Sequence, residues 1–166
     1  MSLDNPKIDY LTIRDELLTF LRANLTALNV GLDTKFTVAS TQIKKGYINQ
    51  TPTFMTDYPI ILVDTVSEDE EPLTMGLRKL ATIYLNVYGV VYEISEGGYD
   101  DNDEAVNLMS NIQGLLRDNV TFSSANIMYT RIPSTNFKLN EIVGANDEGV
   151  YVAGGILNLE VQVEVI

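Results

Sequence analysis

Leu157-Asn158-Leu159-Glu160-Val161-Gln162-Val163-Glu164-Val165 is the stretch that decides the fold class. Apolar and polar residues alternate strictly, the period of a β-strand with one dry face and one wet face. Burying its five apolar side chains contributes on the order of 10 kcal/mol, at about 1.5–3 kcal/mol each and as an upper estimate. The stretch runs almost to the last residue, so we expect the C-terminus to be sewn into a sheet. Its wet side is acidic and amide-rich and carries no catalytic device. That chemistry directs the reading towards a scaffold that presents surfaces.

Just upstream, the apolar residues Val150 and Val152 are even-numbered, whereas those from Leu157 onward are odd-numbered. A one-residue slip exchanges the two faces of a strand, and a β-bulge at Gly154-Gly155 would restore the phase. We therefore expect a bulge at that pair. Ile127 to Ile132 reads as another strand, and Ser134 to Glu148 as a long polar connection. Arg78 to Tyr92 reads as a long strand. Ala81, Ile83, Leu85, Val87 and Val91 share one face; Thr82, Tyr84, Asn86, Tyr88 and Tyr92 share the other. Tyrosines combine large area with a hydroxyl, so the second face is either an interface or the underside of a helix. Tyr58-Pro59-Ile60-Ile61-Leu62-Val63-Asp64 has the continuous apolar character of a strand buried on both faces, with proline at its start. Phe36 with Val38 and Ile43 to Ile48 suggest two short strands, and Gln50 to Thr56 a loop.

Two helices are expected. In the first, Thr12 is the candidate cap, Leu17, Leu18, Leu21, Leu25 and Leu28 form the stripe, and Gly31 stops it. The second opens at Asp101 or Asn102, with Asp101 and Glu104 spaced as a capping box and a stripe of Ala105, Leu108, Met109, Ile112, Leu115 and Leu116. Gly114 inside it costs about 1 kcal/mol relative to Ala, which predicts a close neighbour. The acids from Asp100 to Glu104 do not form a calcium loop. Counted from Asp101, the sixth residue is Val106 and the twelfth Ile112, where Gly and Glu are needed. Ser67 to Glu71 reads as an acidic loop before Pro72, and Glu68, Asp69, Glu70 and Glu71 as contacts for a basic partner.

The bulk composition narrows the function classes. With 166 residues, a chain can remove about two thirds of its unfolded surface from water as one domain, here residues 1–166. No apolar run approaches the ~20 residues of a membrane span, and Met1 to Asp9 has neither the basic start nor the apolar core of a signal peptide, which predicts a cytosolic product. There is no Cys and no His, so disulfides, thiol nucleophiles, an imidazole base and nearly all structural zinc sites drop out. A net charge of −12 opposes binding to a phosphate backbone. Phosphate-loop, dinucleotide and nucleophile-elbow motifs are missing. We expect no enzyme activity, no cofactor and no bound metal. The fold class expected is α+β: a mixed, mostly antiparallel β-sheet packed against two α-helices, with long polar loops.

This element order, together with the length, the acidity and the lack of Cys and His, resembles the tail terminator (tail completion) proteins of long-tailed bacteriophages. The resemblance is carried by Asp9 to Asn29, Tyr58 to Asp64, Ala81 to Tyr92, Asp103 to Asp118 and Gly149 to Ile166. It implies a structural virion protein, assembled in the host cytoplasm, that forms a homohexameric ring at the head-proximal end of the viral tail. Such a ring ends tail-tube polymerisation and serves head–tail joining. Its partners would be the tail tube protein and a head-completion or neck protein, with DNA passing through unbound. Asn158, Glu160, Gln162 and Glu164, and separately Tyr84, Tyr88 and Tyr92, are the candidate subunit seams or lumen. Asn136 and Lys138 join Glu68 to Glu71 as candidate partner contacts. Two alternatives stay open at this point: another neck connector component, or a small carboxylate-dependent enzyme or ligand-binding domain.

Overall fold

The computed structural model describes residues 10–46, 58–72, 79–93, 99–122, 127–142 and 151–165. Helix α1 (Tyr10–Ala23) buries Ile13, Leu17, Leu18, Phe20 and Leu21, a spacing of three to four that fills one face. Thr12 lies inside the helix, which is already formed at Tyr10, and so is not its N-cap. Nor does the helix run unbroken to Gly31. Asn24 turns its side-chain amide back onto Phe20 O at 2.7 Å and separates α1 from a single turn, α2 (Leu25–Leu28). That turn ends at its C-cap Asn29, short of the expected stop; Gly31 follows two residues on with φ 73°, in the left-handed region.

The strand expected around Phe36 and Val38 is instead a 3₁₀ turn (Thr34–Phe36) followed by extended chain. The reason lies in Asn29. Its amide donates to Val38 O at 2.9 Å and accepts from Val38 N–H at 2.7 Å, so both ladder groups of Val38 are bonded to a side chain. Strand β1 (Ile43–Lys45) is short, and residues 47–57, including the expected loop, lie outside the described residues.

The main sheet adds β2 (Ile60–Pro72), β3 (Lys79–Glu93), β4 (Tyr129–Ile142) and β5 (Tyr151–Val165), in the order β1-β2-β3-β5-β4. Only β1 and β2 run parallel. The fold is therefore α+β with a mixed, mostly antiparallel sheet, as the residue pattern predicts. Two expected loops are strand. Ser67 to Glu71 continues β2 against β3, and Ser134 to Ile142 continues β4 against β5; residues 143–148 of the second expected loop lie outside the described residues. Polarity misled the reading there: a strand with a wet face needs few apolar residues once its neighbour supplies the ladder.

Helix α3 (Tyr99–Asp118) starts before Asp101, so the expected capping box sits inside the helix. Glu104 instead accepts from Asp33 N–H at 3.2 Å. Asn111 donates to Leu28 O and Val30 O, both at 2.9 Å, and ties α3 to the end of α2. Gly114 is exposed, and a Cβ there would meet nothing within 4 Å, so no close neighbour explains it. Beyond α3, Phe122 takes a positive φ of 31° while burying its ring 6.2 Å from that of Phe20. Among the described residues, no helix is long and apolar enough to cross a membrane.

α1 and α3 cover one face of the sheet. Their stripes meet Ile61, Val63, Ala81, Ile83, Leu85, Val87, Leu157, Leu159, Val161 and Val163 in a single core. The bulge expected at Gly154-Gly155 is not there: β5 pairs with β3 without a break, Gly154 opposite Val90 and Gly155 opposite Gly89. The irregularities lie on β4, between Arg131 and Ser134 and between Asn136 and Leu139. No phase repair is needed, because the sheet's other face is also apolar at this end. Tyr58, Ile60, Leu62, Tyr88 and Val90 form a second buried cluster, with Ile156 packed against it. Gly89 and Gly155 serve a different purpose. They lie side by side beneath Met109, whose Sδ would stand 2.7 Å from a Cβ at Gly89 and whose Cγ would stand 2.7 Å from one at Gly155.

Candidate functional site: an open, polar sheet face

Facing away from the helices, the middle of the sheet carries an ordered band of polar side chains. The register of the antiparallel strands builds it. Arg131 lies opposite Glu160, Glu160 opposite Tyr84, and Tyr84 opposite Ser67; in the next row come Tyr129, Gln162, Thr82 and Asp69. Tyr84 donates its hydroxyl to Asp69 at 2.9 Å. Glu160 Oε2 accepts from Arg131 Nε at 2.8 Å and Nη2 at 2.7 Å. Asn158 donates to Ser134 Oγ at 2.6 Å, and Asn86 donates to the Tyr88 hydroxyl at 3.3 Å.

The two candidate seams are thus one surface. Tyr84, Asn158, Glu160, Gln162 and Glu164 share the open face, Asn158 and Glu164 exposed and the others half-buried. Among the described residues no helix covers Tyr84, which answers one of the two readings of the tyrosine face. Tyr88 departs from the pattern, being buried in the second apolar cluster. Tyr92 lies opposite Val152, and its side chain is outside the described residues.

The acidic run divides between two faces because it is a strand. Asp69 and Glu71 lie opposite Thr82 and Leu80 on the open side; Glu68 and Glu70 lie opposite Ile83 and Ala81 on the helix side. Glu70 accepts from Lys79 at 3.3 Å. Glu68 is half-buried, accepts from the Tyr10 hydroxyl, and has its Oε2 shut from solvent without a partner among the described residues. Asn136 is exposed on β4 opposite Ile156; Lys138 is also in β4, with its side chain outside the described residues.

Electrostatics follow this geometry. The hydrogen bond to Asp69 is the largest cause raising the Tyr84 phenol above its ordinary pKa, followed by burial and then by the charges of Asp69 and Glu160, with Arg131 opposing. Burial leads for Tyr10, with Glu68 and Glu70 adding to the same upward shift. Both hydroxyls stay protonated donors through neutral pH.

Elsewhere, a groove of about 600 Å³ runs between α1 and the end of α3. Its polar lining is already bonded: Asn24 donates to Phe20 O at 2.7 Å, Asn119 to Leu115 O at 2.9 Å and Thr19 to Asp15 O at 2.9 Å, while Asp15 accepts from Arg14 at 3.0 Å. Among the described residues no cluster of three potential metal-ligating side chains occurs. Sequence reasoning placed Asn86 on this face but missed Arg131 and Ser134, the β4 partners that order the band. Arg131 alternates with Thr130 and Ile132, so its face was accessible, but only the register reveals that it meets Glu160. Comparison with protein-family models and with curated proteins found no match for this chain.

Proposed function

We propose that this chain is a structural assembly protein, a subunit of the ring that caps a phage tail tube, ends its polymerisation and offers the docking surface for the head. The observation that carries the reading is the two-faced sheet. One side is sealed by α1 and α3, while the other holds an ordered, solvent-accessible band of Tyr, Asn, Glu and Arg across four strands. Tyr and Arg are enriched where proteins meet, and side chains held by their neighbours lose little further freedom on docking.

Two further points support it. The element order of leading helix, β-strands, second helix and closing strand pair agrees with the resemblance to tail terminators. The charge of −12 suits a bore through which DNA slides without adhesion. In this reading the partners are further copies of the chain, the tube protein and a head-completion protein; the chain breaks no bonds, and its place is the head-proximal end of the virion tail.

The test is to add purified protein to polymerising tail tubes and to image the products by negative stain. Arrested tubes ending in a six-fold ring are the expected result. Tubes that grow unchanged refute the reading, and a twelve-fold ring transfers the chain to the connector class.

A further inference from the structure

The two edges of the sheet differ in a way that makes them fit each other. β1 stops at Lys45, opposite Val63, so among the described residues β2 has no strand on its outer side from Asp64 onward. On that free edge the register slips between Thr65 and Ser67, and Val66 lies exposed at 55 %. Asp69 and Glu71 follow it on the open side, both exposed. The result is an apolar knob with acids beside it.

At the opposite edge, β4 pairs only with β5 among the described residues. Its first residues and the end of α3 enclose an open notch of about 200 Å³, lined by Arg117, Val120, Tyr129 and Arg131 among others. Here Met128, Tyr129 and Val120 are exposed at 51, 47 and 37 %. Arg117 is exposed in the last turn of α3; Arg131, though bonded to Glu160, keeps 64 % of its side chain in solvent. The result is a mainly polar notch flanked by arginines, with the exposed side chains of Tyr129 and Val120 at its rim.

The register sets knob and notch at the same level. Ser67, Tyr84, Glu160 and Arg131 form one row across the sheet, and Asp69, Thr82, Gln162 and Tyr129 the next. Plain strand-on-strand addition is hindered at both edges, by the irregularity at Val66 on β2 and by two register shifts and Pro133 on β4. Side chains are what each edge presents.

We infer that the Val66–Glu71 edge of one copy docks into the Tyr129 notch of a second copy of this chain, acids against arginines and Val66 against the exposed ring of Tyr129 and methyls of Val120. A contact between two different patches is heterologous, and repeated by rotation it closes into a ring. Exposed Tyr and Arg fit the anatomy of such contacts, and opposite charge fixes their register. This inference rests on the ring proposed above and names the surfaces that close it.

The test uses two full-length variants, Asp69→Lys/Glu71→Lys and Arg117→Glu, with folding checked by thermal melts. Self-association is followed by sedimentation velocity at low salt and by rings on tube ends. Each variant alone should associate at least about a hundredfold more weakly than the wild type, because like charges then face each other. An equimolar mixture should recover assembly, since in an alternating ring every knob again meets an opposite charge. Variants that assemble like the wild type, or a mixture that stays dissociated, overturn the edge contact. Tubes that the wild type still caps in those cases leave the proposed function standing; a wild type that associates neither in solution nor on tubes refutes both.

Discussion

Replacing Gly155 by alanine should cost more than replacing Gly89, although the two residues face each other across β3 and β5. In a strand, alanine for glycine ordinarily gains about 0.5–1 kcal/mol through reduced freedom of the unfolded chain. Space decides otherwise here. At Gly89 the closest atom to a new Cβ is Met109 Sδ at 2.7 Å, the flexible end of a side chain, and the next are side-chain methyls at 3.4 Å. At Gly155 a Cβ would stand 2.7 Å from Met109 Cγ and 2.7 Å from the backbone carbonyl of Asn136. A thioether swings aside at low cost, whereas a carbonyl held in the β4–β5 ladder moves only with its strand. Overpacking costs about 1–3 kcal/mol, so Gly155→Ala should fall near the upper end and Gly89→Ala close to zero. For a chain of this length about 1 kcal/mol shifts the melting temperature by about 2–4 °C, giving a drop of about 5–10 °C for Gly155→Ala. A double-mutant cycle with Met109→Ala separates the causes. Coupling should relieve all of the strain at Gly89 and only part of it at Gly155, where the carbonyl remains. Equal melting temperatures for the two alanine variants would refute the packing argument.

Val161→Asp should abolish folding, because it places a carboxylate in the core between Ile83 and Thr130; circular dichroism would show a native variant if the face assignment were wrong. Glu160→Gln weakens one partly exposed pair with Arg131, worth about 0.2–1 kcal/mol, so its melt should follow the wild type closely while ring assembly is perturbed. Tyr84 should ionise above the ordinary tyrosine range in a spectrophotometric titration, and Asp69→Asn should bring it back towards that range. Because the folded-state pKa is the higher one, its stabilising contribution is complete below about pH 10 and disappears as pH rises through the folded value. Asn111→Ala removes both bonds that hold the end of α2, a loss of about 1–2 kcal/mol visible as a melt lowered by several degrees.

The buried side of this fold was legible because it obeys one period at a time. Leu157 to Val163, Ala81 to Val87 and the α3 stripe each announced their faces, and the helix-side core is built from them. Legibility failed where a polar side chain takes the place of a backbone partner, as with Asn29 bonded to Val38, Asn24 dividing the leading helix and Glu104 reaching Asp33. Such substitutions leave no period to read. The acidic run from Ser67 to Glu71 failed for a related reason. Four consecutive acids suggest solvent on all sides, yet a strand sends alternate residues to opposite faces, and β3 supplies its ladder. Of the candidate site, the members on β3 and β5 were visible as wet alternates, but their meeting was not, because it depends on register alone.

A polar band on a sheet face stabilises the monomer little, and this decides how it should be interpreted. The Arg131–Glu160 pair, with 64 and 15 % of its side chains in solvent, belongs to the class of ion pairs worth under about 1 kcal/mol. By contrast, a single core leucine or isoleucine of the helix side is worth about 2–5 kcal/mol when cut to alanine. The band therefore contributes geometry more than folding energy. Tyr84 is held by Asp69, Arg131 by Glu160 and Asn158 by Ser134, so each side chain keeps one orientation at little cost to the fold. Substitutions in the band should separate folding from assembly, leaving the first intact and impairing the second. Substitutions at Val161 or Leu159 must strike both together, because no surface survives the loss of the core beneath it.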